Sequence, residues 1–242
     1  MSIGETALMI LFNSSLLFVH NPKTAGTSLI RFFETGLKPP VFKAGVSEMG
    51  THHPHLSQAE GYAAAVLGRR APDFEYIVAV ARDPFERERS MYQYFREVLA
   101  KSPTLRSDLP DPLMLEAVEA AARLDFSEFV GWTVAERQGC DLWRSRGYYE
   151  REGGGHPPRL ALLRCEALED ELHEYLPDHL FVARAAVPRL NATSETAGIE
   201  MTGEAAATIA ASYPWLLEPG YGASDLRPEG IPAYPRHPAA GR

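Results

Sequence analysis

The stretch Leu17–Leu29, LFVHNPKTAGTSL, constrains this chain more than any other. An apolar run, Leu16-Leu17-Phe18-Val19, meets a turn containing Pro22 and Gly26, and a helix-like segment from Ser28 to Phe33 follows at once. A strand, a small-residue loop and a helix N-terminus in that order form an anion site. The loop N–H groups converge on the anion, and the helix dipole sets partial positive charge beside it. Lys23, Thr24, Thr27 and Ser28 add a cation and hydroxyls of the kind that phosphate oxygens accept. The Walker order, with Gly-Lys-Ser/Thr closing the loop, is absent, because here the lysine precedes the glycine. The plainer alternative is an ordinary strand–turn–helix carrying a surface lysine.

A second segment weighs against that alternative. Glu75–Ala81, EYIVAVA, is a near-continuous apolar run of the kind found in buried parallel strands. It ends in Arg82-Asp83-Pro84, with Pro84 suited to the first turn of a helix and Glu86 and Glu88 suited to its positive end. Met91, Tyr92, Phe95, Val98 and Leu99 then mark an apolar stripe at helical spacing. Arg82 falls at the carboxyl end of its strand, where open α/β sheets bind ligands. An arginine fork with the hydroxyl of Ser90, two turns along the helix, makes a clamp for a second phosphate.

PKTAGTSL followed by R-D-P-F-x-R-x-x-S-x-Y resembles the PAPS-dependent sulfotransferases, especially the carbohydrate-type branch; PAPS is 3′-phosphoadenosine 5′-phosphosulfate. The resemblance implies that Lys23, Thr24, Ala25, Gly26, Thr27 and Ser28 line the 5′-phosphosulfate site, while Arg82 and Ser90 hold the 3′-phosphate. Further on, Leu160–Leu168 resembles the strand ending in an Arg/Tyr-Glu-x-Leu turn. Val187–Asn191 resembles a late loop that folds over the nucleotide, which adds Arg189 to the cofactor-binding set. Tyr221 and Asp225 resemble a Tyr-x-x-x-Asp element. Asp83 departs from the family's common Asn, and Glu88-Arg89 fall where apolar residues are usual. The implied fold is α/β, a P-loop-like three-layer sandwich with a central, mostly parallel sheet and helices on both faces.

Gly50–His55 places His52, His53 and His55 just ahead of an expected helix over 57–70, with Ser57 as its N-cap and Glu60 as its capping-box partner. The stretch resembles the His-x-His-x-Ser of uronyl 2-O-sulfotransferases, aligning His53 and His55 with that pair. His55 is the expected catalytic base and His53 the second choice, since imidazole suits removal of a hydroxyl proton at neutral pH. Solvated histidines without a role, or a metal site, are the competing readings. With only Cys140 and Cys165, in no Cys-x-x-Cys pair, the expectation is no metal.

At 242 residues, 45% hydrophobic and 23% charged, the chain can bury a full core, and the expected organisation is a single domain over 1–242. Residues 101–158 form the expected acceptor-side or lid insertion, with Trp132, Trp143, Tyr148 and Tyr149 as candidate pocket walls and Gly153–Gly155 as a mobile loop. Residues 227–242 form the expected irregular tail. Ala7–Val19 lacks a preceding Lys or Arg and is too short to span a bilayer. The cysteine usage fits a reducing compartment, so a cytoplasmic enzyme with no membrane partner is expected. A net charge of −8 without a Lys/Arg run speaks against nucleic acid and long polyanions. The expected acceptor is a small molecule, sugar or lipid headgroup, and the oligomeric state stays open. Expected strands lie near 7–12, 15–19, 75–81, 160–164 and 179–183. Expected helices lie near 28–36, 57–70, 84–100, 113–124, 126–138, 166–176 and 203–213. Two rival functions remain, a P-loop-related small-molecule kinase using ATP and a non-catalytic nucleotide-binding protein.

Overall fold

Asn13 turns the chain at its start. Its Oδ1 accepts from the backbone N–H of Ser15 (2.8 Å) and Leu16 (2.7 Å), an Asx turn that joins β1 (Leu8–Phe12) to β2 (Leu16–Val19) as an antiparallel hairpin. In this computed structural model of the chain, the described residues are 8–45, 54–68, 74–101, 112–135, 146–152, 157, 159–183, 186–190 and 198–213. They divide into two compact units, one built from 1–82, 145–191 and 236–242, the other from 83–144 and 192–235.

The first unit is α/β. Its sheet adds β3 (Phe42–Gly45), β4 (Tyr76–Ala81) and β5 (Leu160–Arg164) in the order β3-β1-β2-β4-β5. β2, β4 and β5 pair in parallel, and β1 runs against both of its neighbours. Four strands therefore share one direction and β1 alone opposes them. β2 is buried along its whole length, which requires cover on both sides. On one side Leu11, Leu16, Phe18, Val78, Val80 and Leu163 pack against α1 (Gly26–Gly36) and α6 (Leu168–Tyr175) through Leu29, Phe33 and Leu172. On the other, Phe12 meets Tyr62 of α2 (Leu56–Val66) edge-on, with ring centroids 6.4 Å apart.

The sequence anticipates β2, β4 and β5 to within a residue, and three details differ. β3 is an added edge strand, too short and too close to Pro39-Pro40 for its pattern to stand out. The strand expected near 179–183 is a 3₁₀ turn, Asp178–Leu180, followed by a single bridge from Phe181 to Leu37. α2 starts at Leu56 and ends at Val66, where Gly68 at φ 66° reverses the chain, as C-terminal glycines do.

The second unit consists of α3 (Pro84–Lys101), α4 (Pro112–Arg123), α5 (Phe126–Ala135) and α7 (Gly203–Ser212). Tyr92, Phe95, Phe126 and Phe129 form its aromatic centre, and the Tyr92 hydroxyl donates to the Leu124 carbonyl (2.8 Å). Glu88 is fully buried and accepts from the Tyr213 hydroxyl at 2.6 Å, so a charged residue fits a helix face where an apolar one was expected. Arg89 pairs instead with Glu86 (2.8 Å).

Candidate functional site

Strand order locates the site. The connection from β2 leads through α1 to β3 on one side of β2, whereas the connection from β4 leads to β5 on the other. The carboxyl ends of these adjacent parallel strands are thus a topological switch point, where open α/β sheets bind ligands. The Lys23 loop leaves one of these ends, and Arg82 leaves the other.

The loop is held in an uncommon conformation. Lys23 (φ 60°) and Ala25 (φ 62°) both occupy the left-handed region, at a cost of about 1–2 kcal/mol each for residues with a Cβ. Left-handed residues alternating with ordinary ones turn successive N–H groups to one side, forming a concave anion nest. Ala25 is the N-cap of α1, so no capping side chain accepts from the first turn, and that turn contains no acidic residue. Its N–H groups remain directed at the mouth of the loop. Below, the Asn21 amide donates to the Val80 carbonyl (2.8 Å) and ties the loop to the end of β4.

Arg82 reaches the same loop. Its Nη1 donates to the Lys23 carbonyl at 3.2 Å, which sets a guanidinium beside the Lys23 turn. Thus the two sequence motifs meet through a direct contact. The helix N-terminus that follows Arg82 is differently furnished: Asp83 Oδ1 accepts from Phe85 N (2.9 Å) and Glu86 N (3.0 Å). That carboxylate fills the cap of α3. Ser90 is buried on α3 in the second unit.

Several expected ligands have structural work in the loop. The Thr24 hydroxyl is buried and donates to the Asn21 carbonyl (3.2 Å). Ser28 Oγ accepts from Leu190 N (3.1 Å) and donates to the Leu190 carbonyl (3.4 Å), which straps the 186–190 segment to the first turn of α1. The strap carries the exposed Arg189. Thr27 is exposed on that same turn. Gly26 has a steric reason beyond phosphate approach, since a Cβ there would lie 1.7 Å from His20 Cδ2. His20, at the end of β2, escaped the sequence reading because nothing local marks its contact with the helix start.

His55 is the N-cap of α2, and its own N–H donates to Gln58 Oε1 at 2.9 Å. This replaces the expected Ser57–Glu60 capping box. Ser57 Oγ instead accepts from Glu152 N (3.0 Å), and Glu60 binds Arg151 through Nε (3.0 Å) and Nη2 (2.6 Å). The Glu60 hydrogen bonds raise the Arg151 pKa above its ordinary value, against the opposing effect of desolvation. Tyr148 meets the His55 ring, and the hydroxyl of its neighbour Tyr149 donates to the Val80 carbonyl near the carboxyl end of β4 (3.4 Å). Tyr148 and Tyr149 are buried, which makes them packing residues and not open pocket walls. Trp132 is half-buried and stacks on Phe129 of α5. His52, His53, Cys140, Trp143, Gly153–Gly155, Tyr221, Asp225 and the 227–242 tail lie outside the described residues.

Among the described residues no three His, Cys, Asp or Glu side chains gather as a metal-ligand group, and no helix is long and apolar enough to cross a membrane. No family model, no curated protein and no solved structure matches this chain.

Proposed function

We propose that this protein is a PAPS-dependent sulfotransferase on a P-loop-like α/β sandwich. The observation that carries the reading is the convergence of a left-handed, uncapped Lys23–Ala25 loop and Arg82 at one switch point, joined by the 3.2 Å contact. In this reading the 5′-phosphosulfate lies in the loop against the first turn of α1. Arg82 takes the 3′-phosphate, and Arg189 covers the nucleotide from the strap.

The acceptor hydroxyl attacks sulfur in line, opposite the oxygen that bridges to the 5′-phosphate. A new O–S bond forms as the bridging S–O bond breaks, and its electron pair leaves with 3′-phosphoadenosine 5′-phosphate. His55, with His53 as the second choice, accepts the hydroxyl proton. Lys23 neutralises charge growing on the bridging oxygen, and the loop N–H groups hold the phosphate, so catalysis rests on positioning and preorganised charge. A sulfuryl group carries less charge than a terminal phosphoryl, which lessens the need for a magnesium ion. The acceptor class is a neutral small molecule, sugar or lipid headgroup, in keeping with the net charge of −8.

Transfer of radiolabelled sulfate from PAPS to a panel of neutral sugars, aminosugars, phenols and lipid headgroups tests the proposal. Label should move to an acceptor with the wild-type protein and not with Lys23→Ala or His55→Ala. Equal transfer by the Lys23→Ala protein refutes the assignment.

A further inference from the structure

The segment Arg146–Glu152 has no part in the mechanism above, yet it meets His55 and the first turns of the helix that His55 caps. Gly147 lies so close to the imidazole that a Cβ there would stand 2.6 Å from His55 Nδ1 and 2.7 Å from Cγ. The Tyr148 ring meets the His55 ring at 88°, with centroids 5.2 Å apart. Further along, Arg151 closes a forked ion pair on Glu60, whose side chain is only 8% exposed, and Glu152 N donates to Ser57 Oγ. Both anchors sit in the first turns of α2, immediately after His55. Between Tyr148 and Arg151 in sequence, the Tyr149 hydroxyl donates to the Val80 carbonyl (3.4 Å), the oxygen that also receives the Asn21 amide.

We propose that Arg146–Glu152 is a positioning brace for the catalytic base, with Gly147 and Tyr148 fixing the His55 ring and Tyr149 tying that ring to the floor of the phosphate loop. The inference rests on the sulfotransferase reading. An imidazole held on one flank by a side-chain-free backbone and on another by a perpendicular ring has few orientations left. The shared Val80 carbonyl then sets the height of the brace relative to Asn21, two residues before Lys23. Tyr148 and Tyr149 therefore act through His55 and the sheet edge, and the acceptor is recognised elsewhere.

Gly147→Ala and Tyr148→Leu disturb the brace, and Tyr148→Phe preserves the ring contact. Three quantities are read on each folded variant: affinity for 3′-phosphoadenosine 5′-phosphate, the His55 imidazole ¹⁵N and ¹H resonances, and kcat and KM for sulfate release from PAPS to water. In Gly147→Ala and Tyr148→Leu the His55 resonances should move, and kcat should fall about 10- to 100-fold, the loss expected from an ångström-scale misplacement. KM and bisphosphate affinity should hold, and Tyr148→Phe should match wild type in every readout. Unmoved His55 resonances in both disruptive variants overturn the brace, even if wild-type sulfate release proves too slow to follow. A kcat loss of the same size in Tyr148→Phe overturns it as well. Failure of the wild-type protein to bind the bisphosphate defeats the sulfotransferase reading itself, and with it the catalytic purpose of the brace.

Discussion

Replacing Gly26 with alanine tests the geometry of the loop most sharply. An ideal Cβ at this position falls 1.7 Å from His20 Cδ2, 2.1 Å from Nε2 and 2.6 Å from Cγ. Spinning the imidazole about χ2 moves Cδ2 and Nε2 but leaves Cγ in place, so the clash persists. His20 must change χ1 or the end of β2 must shift, and the stack of His20 on Phe18 (6.5 Å, 18°) is lost in either case. Overpacking of this kind costs about 1–3 kcal/mol. The helix preference for alanine over glycine returns at most about 1 kcal/mol, and less at the first helical position. Gly26→Ala should therefore destabilise the protein by about 2 kcal/mol. All three clashing atoms belong to the His20 side chain, so His20→Ala should remove the penalty. In that background Gly26→Ala should be neutral or slightly stabilising, with a coupling of about 2 kcal/mol in a double-mutant cycle. Urea unfolding of the four proteins, followed by far-ultraviolet circular dichroism, gives the cycle. Additive effects within about 0.5 kcal/mol, or a Gly26→Ala protein as stable as wild type, would refute the packing argument.

Other expectations follow from single contacts. Lys23→Ala should abolish sulfuryl transfer while 3′-phosphoadenosine 5′-phosphate still binds, whereas Arg82→Ala should weaken that binding at least tenfold, about 1.4 kcal/mol; calorimetry and the transfer assay separate the two. Tyr213→Phe removes the hydroxyl that Glu88 accepts from at 2.6 Å and should cost about 1–3 kcal/mol in urea unfolding, because a buried carboxylate loses a donor. Burial raises the Tyr94 phenol above its ordinary value of 10.0. Above about pH 10 the unfolded chain gives up that proton first, so the Tyr94 contribution to stability is complete below this pH and is lost as pH climbs toward the folded-state value. Thermal melts from pH 9 to 11 should accordingly fall less steeply for Tyr94→Phe than for wild type.

Several features set by neighbouring residues follow the local signals in the sequence. The apolar runs at β2, β4 and β5, Pro84 opening α3, and the loop between Val19 and Gly26 all depend on such short-range rules. Features that depend on distant partners were not legible. The bond between Ser28 and Leu190, 162 residues away, leaves no local mark at either residue. Gly26 reads as room for an anion, yet the His20 ring fills the space beside it. Ser57 carries the better capping chemistry, but His55 caps α2 while Ser57 and Glu60 hold the 151–152 segment. Tyr148 and Tyr149 look like pocket walls by composition, and only burial shows that they pack against His55 and the end of β4.

The central claim is that the Lys23 loop and Arg82 together hold a 3′,5′-bisphosphorylated nucleoside. Calorimetric titration with 3′-phosphoadenosine 5′-phosphate, set against ATP–magnesium, tests it directly. A Kd of about 1 μM, or about −8 kcal/mol, is expected for the bisphosphate, with much weaker binding of ATP–magnesium. Preference for ATP–magnesium, or heat from neither ligand, would contradict it.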